Sequence, residues 1–593
     1  MKFPYGVSDF YKLITEDYLY VDRTGCLPLL EQAGDTLLFL RPRRFGKSLL
    51  ISMLENYYDI NKAVQFERLF GHLAIGRNPT PLHNQYLIMR WDFSDVAPHP
   101  NLDRMQQNFF DHINDRIKLF AQRYSHLLQT EIEISNENAM ISFRAALRAA
   151  ETTPYKLYLL IDEYDNFANE VLMGGRRQNQ ERYETLVFGE GAFKSVFKSM
   201  KSGTAGFGVD RMMIVGVSPV VLHDVTSGFN IAKNIYFRND LNDLCGFTEA
   251  EIISLLQSVV STCKLPIEKV NEMLEMMRTF YNGYSFSEES NALVYNPTAT
   301  LAFLDHFQRT CSYPRRLLDS SLTPDYQKIS YISQLPNGEQ VILAALDDAM
   351  PLSVTELHDR FGVRQMLAES NTTTFIASLL YYLGVLTLGG INPDGELILR
   401  IPNLVIEGLY TERLAELFLP NAPTREQGIN AAKMLYQQGN PQPLCTFVEQ
   451  QIFPVFDNRD YIQANELTVK TAFLTLLFND TFYIMDSEPA LQRTYADLSM
   501  ILRPEMRRFQ LLDILLEFKF VKLSELGHNG VEIRQMEQST LLALEVVQAK
   551  ISEATPQLQR YRTALVKKYG DRLRLRTFAV VAIGFERLLW VER

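Results

Sequence analysis

DTLLFLRPRRFGKSLL, residues 35–50, joins a short apolar run to a basic loop and then to a segment with helical apolar spacing. Its end, Gly46-Lys47-Ser48, satisfies the close of the pattern G-x-x-x-x-G-K-[ST], whereas the opening glycine of that pattern falls on Arg41. A phosphate loop works because successive backbone N–H groups and a helix N-terminus face the anion. A lysine reaches the β- and γ-phosphates and a hydroxyl meets Mg²⁺. Glycine is required beside the lysine, where backbone comes closest to phosphate, so Arg41 weakens the pattern without abolishing it.

Working outward, the chain up to about residue 240 alternates strand and helix signals. YLIMRWDFS (86–94), YKLYLLIDEYD (155–165) and RMMIVGVSPVV (211–221) are largely apolar, as strands covered on both faces of a parallel sheet are. LYLLIDEYD sets Asp162 and Glu163 at a strand end, where such a sheet delivers side chains to a ligand. Asp162 would hold Mg²⁺ together with Ser48, and Glu163 would polarise an attacking water. The competing reading is an acidic strand end that serves only solubility.

The remaining 350 or so positions are read more coarsely, at roughly 100–200 residues per domain. From CGFTEAEI (245–252) the pattern turns helical, with Thr248 and Glu251 forming a capping box. Short helices and a hairpin at NPDG, followed by ELILRIPN (396–403), suggest a winged-helix-like unit. FIASLLYYLGVLTLGGI (375–391) carries no charge but is too short to cross a membrane and contains three glycines; it reads as a buried helix, a turn at Gly384 and a strand. The net charge of −11 leaves no molecule-wide positive field, so any nucleic-acid surface must be local. Cys26, Cys245, Cys263, Cys311 and Cys445 lie far apart, without zinc spacing, and are expected as free thiols in a reducing cytoplasm. The N-terminus has no apolar signal segment, so a cytoplasmic location without membrane attachment is expected.

In the last part, YADLSMIL, the turn RPEMRRFQ and LLDILLEFKFVKL place Asp497 on one strand and Glu517 with Lys519 on the next. Residues two apart on a strand share a face, so Glu517 and Lys519 project together, and pairing across the turn brings Asp497 beside them. Two carboxylates and a lysine suit metal-assisted phosphodiester hydrolysis. They also suit a cross-strand ion pair. From residue 545 onward ten Lys or Arg face five Asp or Glu, and Arg503, Arg507 and Arg508 add to that balance. The patch reads as phosphate-binding or as a solvated basic face.

RPRRFGKSLL, IDEYDNF, SGFN, CGFT, FYNGYSF, VYNP and ILRIPN, in this order after an opening YGVSDFYKL and YLYVDRTG, resemble the bacterial and archaeal AAA-ATPase-like proteins that carry a C-terminal PD-(D/E)xK nuclease-like domain. The resemblance extends over nearly the whole chain. It implies an α/β multidomain protein: a P-loop NTPase parallel sheet (1–240), a helical lid (241–330), a winged-helix-like module (331–425), and a linker with a restriction-endonuclease-like α/β domain (426–593). ATP and Mg²⁺ would bind at Arg43, Arg44, Phe45, Gly46, Lys47, Ser48, Leu49 and Asp162. Mg²⁺ or Mn²⁺ would bind at Asp497 and Glu517, with Glu466 adding an acidic group. Lys519 and Gln557 would complete the second site, with Tyr561 packing beside it.

The family's Thr-Gly-Val at the γ-phosphate sensor is Val215-Gly216-Val217 here, with Ser218 next to it, and Tyr495 stands where a small residue is usual. Arg43, Arg44 and Arg238 are candidates for phosphate contact or an arginine finger, or else for surface salt bridges. The implied activity is ATP binding and hydrolysis coupled to cleavage of nucleic acid, in defence or mobile-element biology. A nucleotide-dependent switch and a remodelling ATPase with an inactive nuclease-like scaffold stay open, as do DNA versus RNA and homo-oligomerisation.

Overall fold

The structure, a computed structural model, describes residues 1–96, 102–166, 192–204, 208–219, 231–290, 292–317, 323–347, 350–359, 372–457, 465–486 and 497–593. Two compact units divide it: Met1–Ser312 with Leu335–Asn337 and Ser353–Arg400, and Tyr313–Gln334 with Gly338–Leu352 and Ile401–Arg593.

In the first unit five parallel strands, β1 (Thr36–Leu40), β2 (Tyr86–Asp92), β3 (Lys156–Asp162), β4 (Val209–Gly216) and β5 (Lys233–Asn234), form a sheet in the order β2-β3-β4-β1-β5. The middle strands are buried along nearly their whole length, which explains why their sequences do not alternate. Strand β1 lies next to β4, so the sheet reverses its order there, and the loop after β1 opens at that reversal. This is a parallel-sheet α/β fold.

Helices Glu249–Thr262, Lys269–Tyr281 and Pro297–Thr310 follow, the first opened by the capping box of Thr248 and Glu251. The Cys263 and Cys311 sulfurs, at the ends of the first and third of these helices, are bonded to each other, with Cα atoms 5.6 Å apart. The expectation of five free thiols is therefore corrected: among the described residues Cys26, Cys245 and Cys445 are free, and the packing of two helices sets the pair side by side despite 48 residues of separation.

The charge-free stretch folds as helix Thr373–Tyr382, a turn, and β7 (Thr387–Ile391), which pairs antiparallel with β8 (Leu397–Arg400); β6 (Ser353–Val354) completes this small sheet. Gly384 turns the chain at φ +80°, and a Cβ there would overlap Pro42 of the loop after β1. Both demands select glycine.

The second unit holds a mixed sheet in the order β13-β12-β11-β10-β9. Strands β9 (Tyr483–Asp486), β10 (Leu498–Leu502) and β11 (Asp513–Val521) form an antiparallel meander. Helix Glu545–Tyr569 then carries the chain to β12 (Leu575–Ile583), parallel to β11, and β13 (Arg587–Glu592) closes the edge. The helix lays Val547, Ile551, Ala554, Leu558 and Tyr561 on β11 and β12 at helical spacing.

Candidate functional sites

The loop Arg41–Gly46 leaves β1 and enters helix Lys47–Tyr58 through Gly46, whose φ of +94° is left-handed and whose α-carbon faces open space. Gly46 is exposed and Ser48 and Leu49 are half-buried, so the helix N-terminus is accessible to an anion. Phe45 is buried edge-on against Tyr284 and Phe286 and anchors the loop from below. Arg44 adopts φ +68°, and its carbonyl accepts a hydrogen bond from Thr298 Oγ1 at 3.1 Å. Arg43 donates to Asn166 Oδ1 at 2.8 Å.

Arg41 points away from the phosphate side. Its buried guanidinium donates to the carbonyls of Leu40, Tyr236 and Leu241 at 2.8–2.9 Å and lies over the rings of Phe39 and Phe286. Burial lowers its pKa to about 10, which leaves it charged at neutral pH. The arginine in place of the first glycine is thus a structural bolt that carries no ligand-binding duty of its own.

Lys47 is buried, and its Nζ donates to the carbonyls of Arg41 and Pro42 at 2.9 and 3.0 Å. Burial lowers its pKa, against the attraction of Asp165, Asp162 and Glu163. Asp162, at the end of β3, is fully buried, with the Ser48 hydroxyl beside its carboxylate. Arg90 stands 3.6 Å from Oδ2. Burial raises the Asp162 pKa and Asp92 adds to the effect, while the Ser48 hydroxyl, Arg90 and Lys47 oppose it. A buried carboxylate beside a serine hydroxyl fits a hard cation such as Mg²⁺, which takes oxygen ligands. Glu163 sits next to it at φ +50°, with its pKa raised by burial.

Sequence reasoning passed over Asp165, Asp92 and Arg90. Asp165 is buried and accepts hydrogen bonds from the backbone N–H groups of Val217 and Ser218 and from the Ser218 hydroxyl, so it ties the turn after β3 to the end of β4. The Ser218 hydroxyl, considered as a phosphate sensor, is engaged there at 2.9 Å. The repeated carboxylate in IDEYD is the signal that pointed to this latch. Arg238 forms a two-pronged pair with exposed Asp240, which is the salt-bridge alternative for that residue. SGFN (227–230) and Tyr495 lie outside the described residues.

In the second unit Asp497 immediately precedes β10, and its Oδ2 accepts the Phe518 backbone N–H of β11 at 2.7 Å. This bond brings it beside Glu517 and Lys519, which share the opposite face of β11 from Phe518. Glu517 and Lys519 are buried; Lys519 Nζ lies 3.0 Å from Glu517 Oε1 and 3.8 Å from Glu466 Oε2. Glu466 opens helix Glu466–Leu477 behind the N-cap of Asn465. Burial raises the Glu517 pKa to about 7 and Asp497 pushes it the same way, against Lys519. Burial works against the Lys519 charge, but Glu517, Glu466 and Asp497 outweigh it and hold its pKa above the ordinary value.

Glu517 Oε2 is buried without a hydrogen-bond partner among the described residues, an acceptor oxygen that suits a divalent ion, and Gln557 lies on helix Glu545–Tyr569. Among the described residues no three His, Cys, Asp or Glu side chains are arranged to share one ion. The expectation for Arg503 is corrected: it is fully buried and donates to the carbonyls of Pro314, Arg315 and Asp480, because the turn that carries it folds inward there. Arg507 pairs with buried Asp513. No helix among the described residues is long and apolar enough to cross a membrane.

Comparison with known proteins adds a few similarities. A curated relative from Azotobacter chroococcum mcd 1, an uncharacterized protein in the vnfD 5'region, is 26% identical over 431 residues, 71% of this chain and 71% of its own length. The Walker-type ATPase PABY2304 of Pyrococcus abyssi aligns with a TM-score of 0.39 and 14% identity over 66% of this chain and 96% of its own. The Aeropyrum pernix ORC1 protein in complex with DNA aligns with a TM-score of 0.24 and 10% identity over 68% and 97%. Residues 4–226, which contain the loop, Lys47, Asp162 and Asp165, match the family model described as predicted AAA-ATPase, and an AAA-ATPase-like domain thus forms the N-terminal part of the chain.

Proposed function

We propose that this protein binds and hydrolyses ATP, and that its C-terminal part is a PD-(D/E)xK nuclease-like domain that cleaves nucleic acid with Mg²⁺ or Mn²⁺. The observation that carries the nucleotide reading is the accessible helix N-terminus at Gly46, with Ser48 beside the buried carboxylate of Asp162. Lys47 would exchange the carbonyls of Arg41 and Pro42 for phosphate oxygens, and Glu163 would orient the attacking water. Mg²⁺ held by Ser48 and Asp162 would supply charge neutralisation for the phosphates.

For the second activity, the support is the meeting of Asp497, Glu517 and Lys519 across the neighbouring inner strands β10 and β11. There Asp497 and Glu517 would hold the metal, and Lys519 would position the water. The lid, residues 241–330, and a winged-helix-like module, residues 331–425, would adjust to nucleotide occupancy and so time the cleavage, in a defence or mobile-element role.

Lys47→Ala should abolish ATP binding measured by calorimetry. Glu163→Gln should retain binding while turnover falls by about 10²-fold or more, a typical contribution of a positioned general base. Asp497→Ala and Lys519→Ala should each abolish Mg²⁺-dependent degradation of single- or double-stranded DNA or RNA with ATP binding intact. The pairing of Lys519 with Glu517 at 3.0 Å also suits a second reading, a nucleotide-dependent switch with an inactive scaffold. That reading holds if purified protein turns over ATP and degrades none of these substrates with either metal.

A further inference from the structure

The carboxylate cluster occupies one end of β10 and β11, and the other end of the same sheet carries a surface of a different kind. The turn Pro504–Arg508, the last turn of helix Glu545–Tyr569 and the segment 570–574 are bound into one surface: Arg507 donates to the carbonyl of Arg572, Arg574 donates to that of Arg507, and the Arg507 guanidinium faces the Tyr569 ring. Residues 504–510 and 566–574 together hold six Lys or Arg against Glu505 and Asp571, inside a chain of net charge −11. Arg507 is matched by Asp513, but Arg508, Lys567 and Arg572 are exposed.

Aromatic rings are interleaved with these cations. Phe509 is 41% exposed, flanked by the Arg508 guanidinium 5.0 Å from its centroid and edge-on to Phe482. Tyr569 has Lys568 over its ring. Lys567 and Lys568 also complement the carbonyl end of their helix, which accounts for two of the charges. It does not account for an exposed phenylalanine and arginine brought in from a different turn.

Cations spaced among exposed rings recognise a chain that offers both phosphates and unstacked base faces. We propose that Arg508, Phe509, Lys567 and Arg572 form a binding surface for single-stranded nucleic acid, separate from the carboxylate site. From Asp513, beside this surface, to Glu517 the strand runs about 13 Å, a span that a few nucleotides bridge. The proposal rests on the nucleic-acid part of the function above but does not require cleavage.

The test is fluorescence anisotropy of labelled single-stranded DNA and RNA in EDTA without nucleotide. The combined variant Arg508→Glu, Lys567→Glu, Arg572→Glu should bind at least about tenfold more weakly, with its log–log salt slope reduced by about 2. Phe509→Ala should lose about tenfold. The Lys and Arg exchanges Arg508→Lys, Lys567→Arg, Arg572→Lys should keep affinity, and thermal melting should show all variants folded.

Unchanged affinity in the charge-reversed variant overturns the proposal, as does Phe509→Ala binding at full strength. Parent protein that captures phosphatidylserine vesicles and no oligonucleotide overturns it too. Binding without any cleavage supports this surface while defeating the nuclease reading, and cleavage without dependence on these residues does the reverse.

Discussion

Arg41 and Glu517 show how far single residues depend on their surroundings. Restoring the usual loop glycine by Arg41→Gly should lower stability by about 3 kcal/mol or more, since it strips donors from three buried carbonyls; urea unfolding measures this, and no gain in ATP affinity should accompany the loss. The places of Lys47 at a helix start and Asp162 at a strand end were legible because the apolar runs that mark those elements are their neighbours in sequence. The duty of Arg41 was not, because its partners Tyr236 and Leu241 lie about 200 positions downstream.

Glu517 titrates differently in the two states. Burial, with Asp497 beside it, holds the folded carboxyl's pKa above that of the unfolded chain, so between the two the folded state holds more protons and stability falls as pH rises. Glu517→Gln should flatten that fall. Thermal melts across pH 4.5–8 report the result, and parallel curves for parent and variant would contradict it.

At the level of elements, uninterrupted apolar runs announced the parallel strands, and Asn-Pro-Asp-Gly announced the β7–β8 hairpin, because burial on two faces and turn chemistry are local properties. Two things were not local. Arg503 is drawn inward by carbonyls at 314, 315 and 480, and Cys263 meets Cys311 only because two helices pack side by side. Cross-linking a 48-residue interval should contribute about 2–4 kcal/mol. Cys263→Ser with Cys311→Ser should therefore shift chemical unfolding by that amount. In the non-reduced protein, thiol titration with the chain unfolded should find three free cysteines.

For the molecule as a whole, the division into compact units differs from a reading in consecutive blocks. Motif order along the chain suggested four successive parts, whereas the first unit takes in residues up to Ser312 and then Ser353–Arg400. Sequence pattern alone could not reveal this, because a return of the chain leaves no mark on local composition. Gly384 is the visible trace of it: the turn it makes lies against Pro42 in the phosphate loop. Gly384→Ala should perturb that loop, with a stability loss of about 1–3 kcal/mol and weaker ATP binding, both readable in a nucleotide-dependent melting assay. The same packing bears on dissection of the protein. A shortened chain that stops at residue 240 keeps every nucleotide motif but exposes the rings of Phe39 and Phe45 that Phe286 covers through Arg41 or directly, and it removes the wall beside Pro42. A fragment that keeps this core covered has to include the return segment Ser353–Arg400 of the first unit, and loss of solubility without it would reflect a missing core.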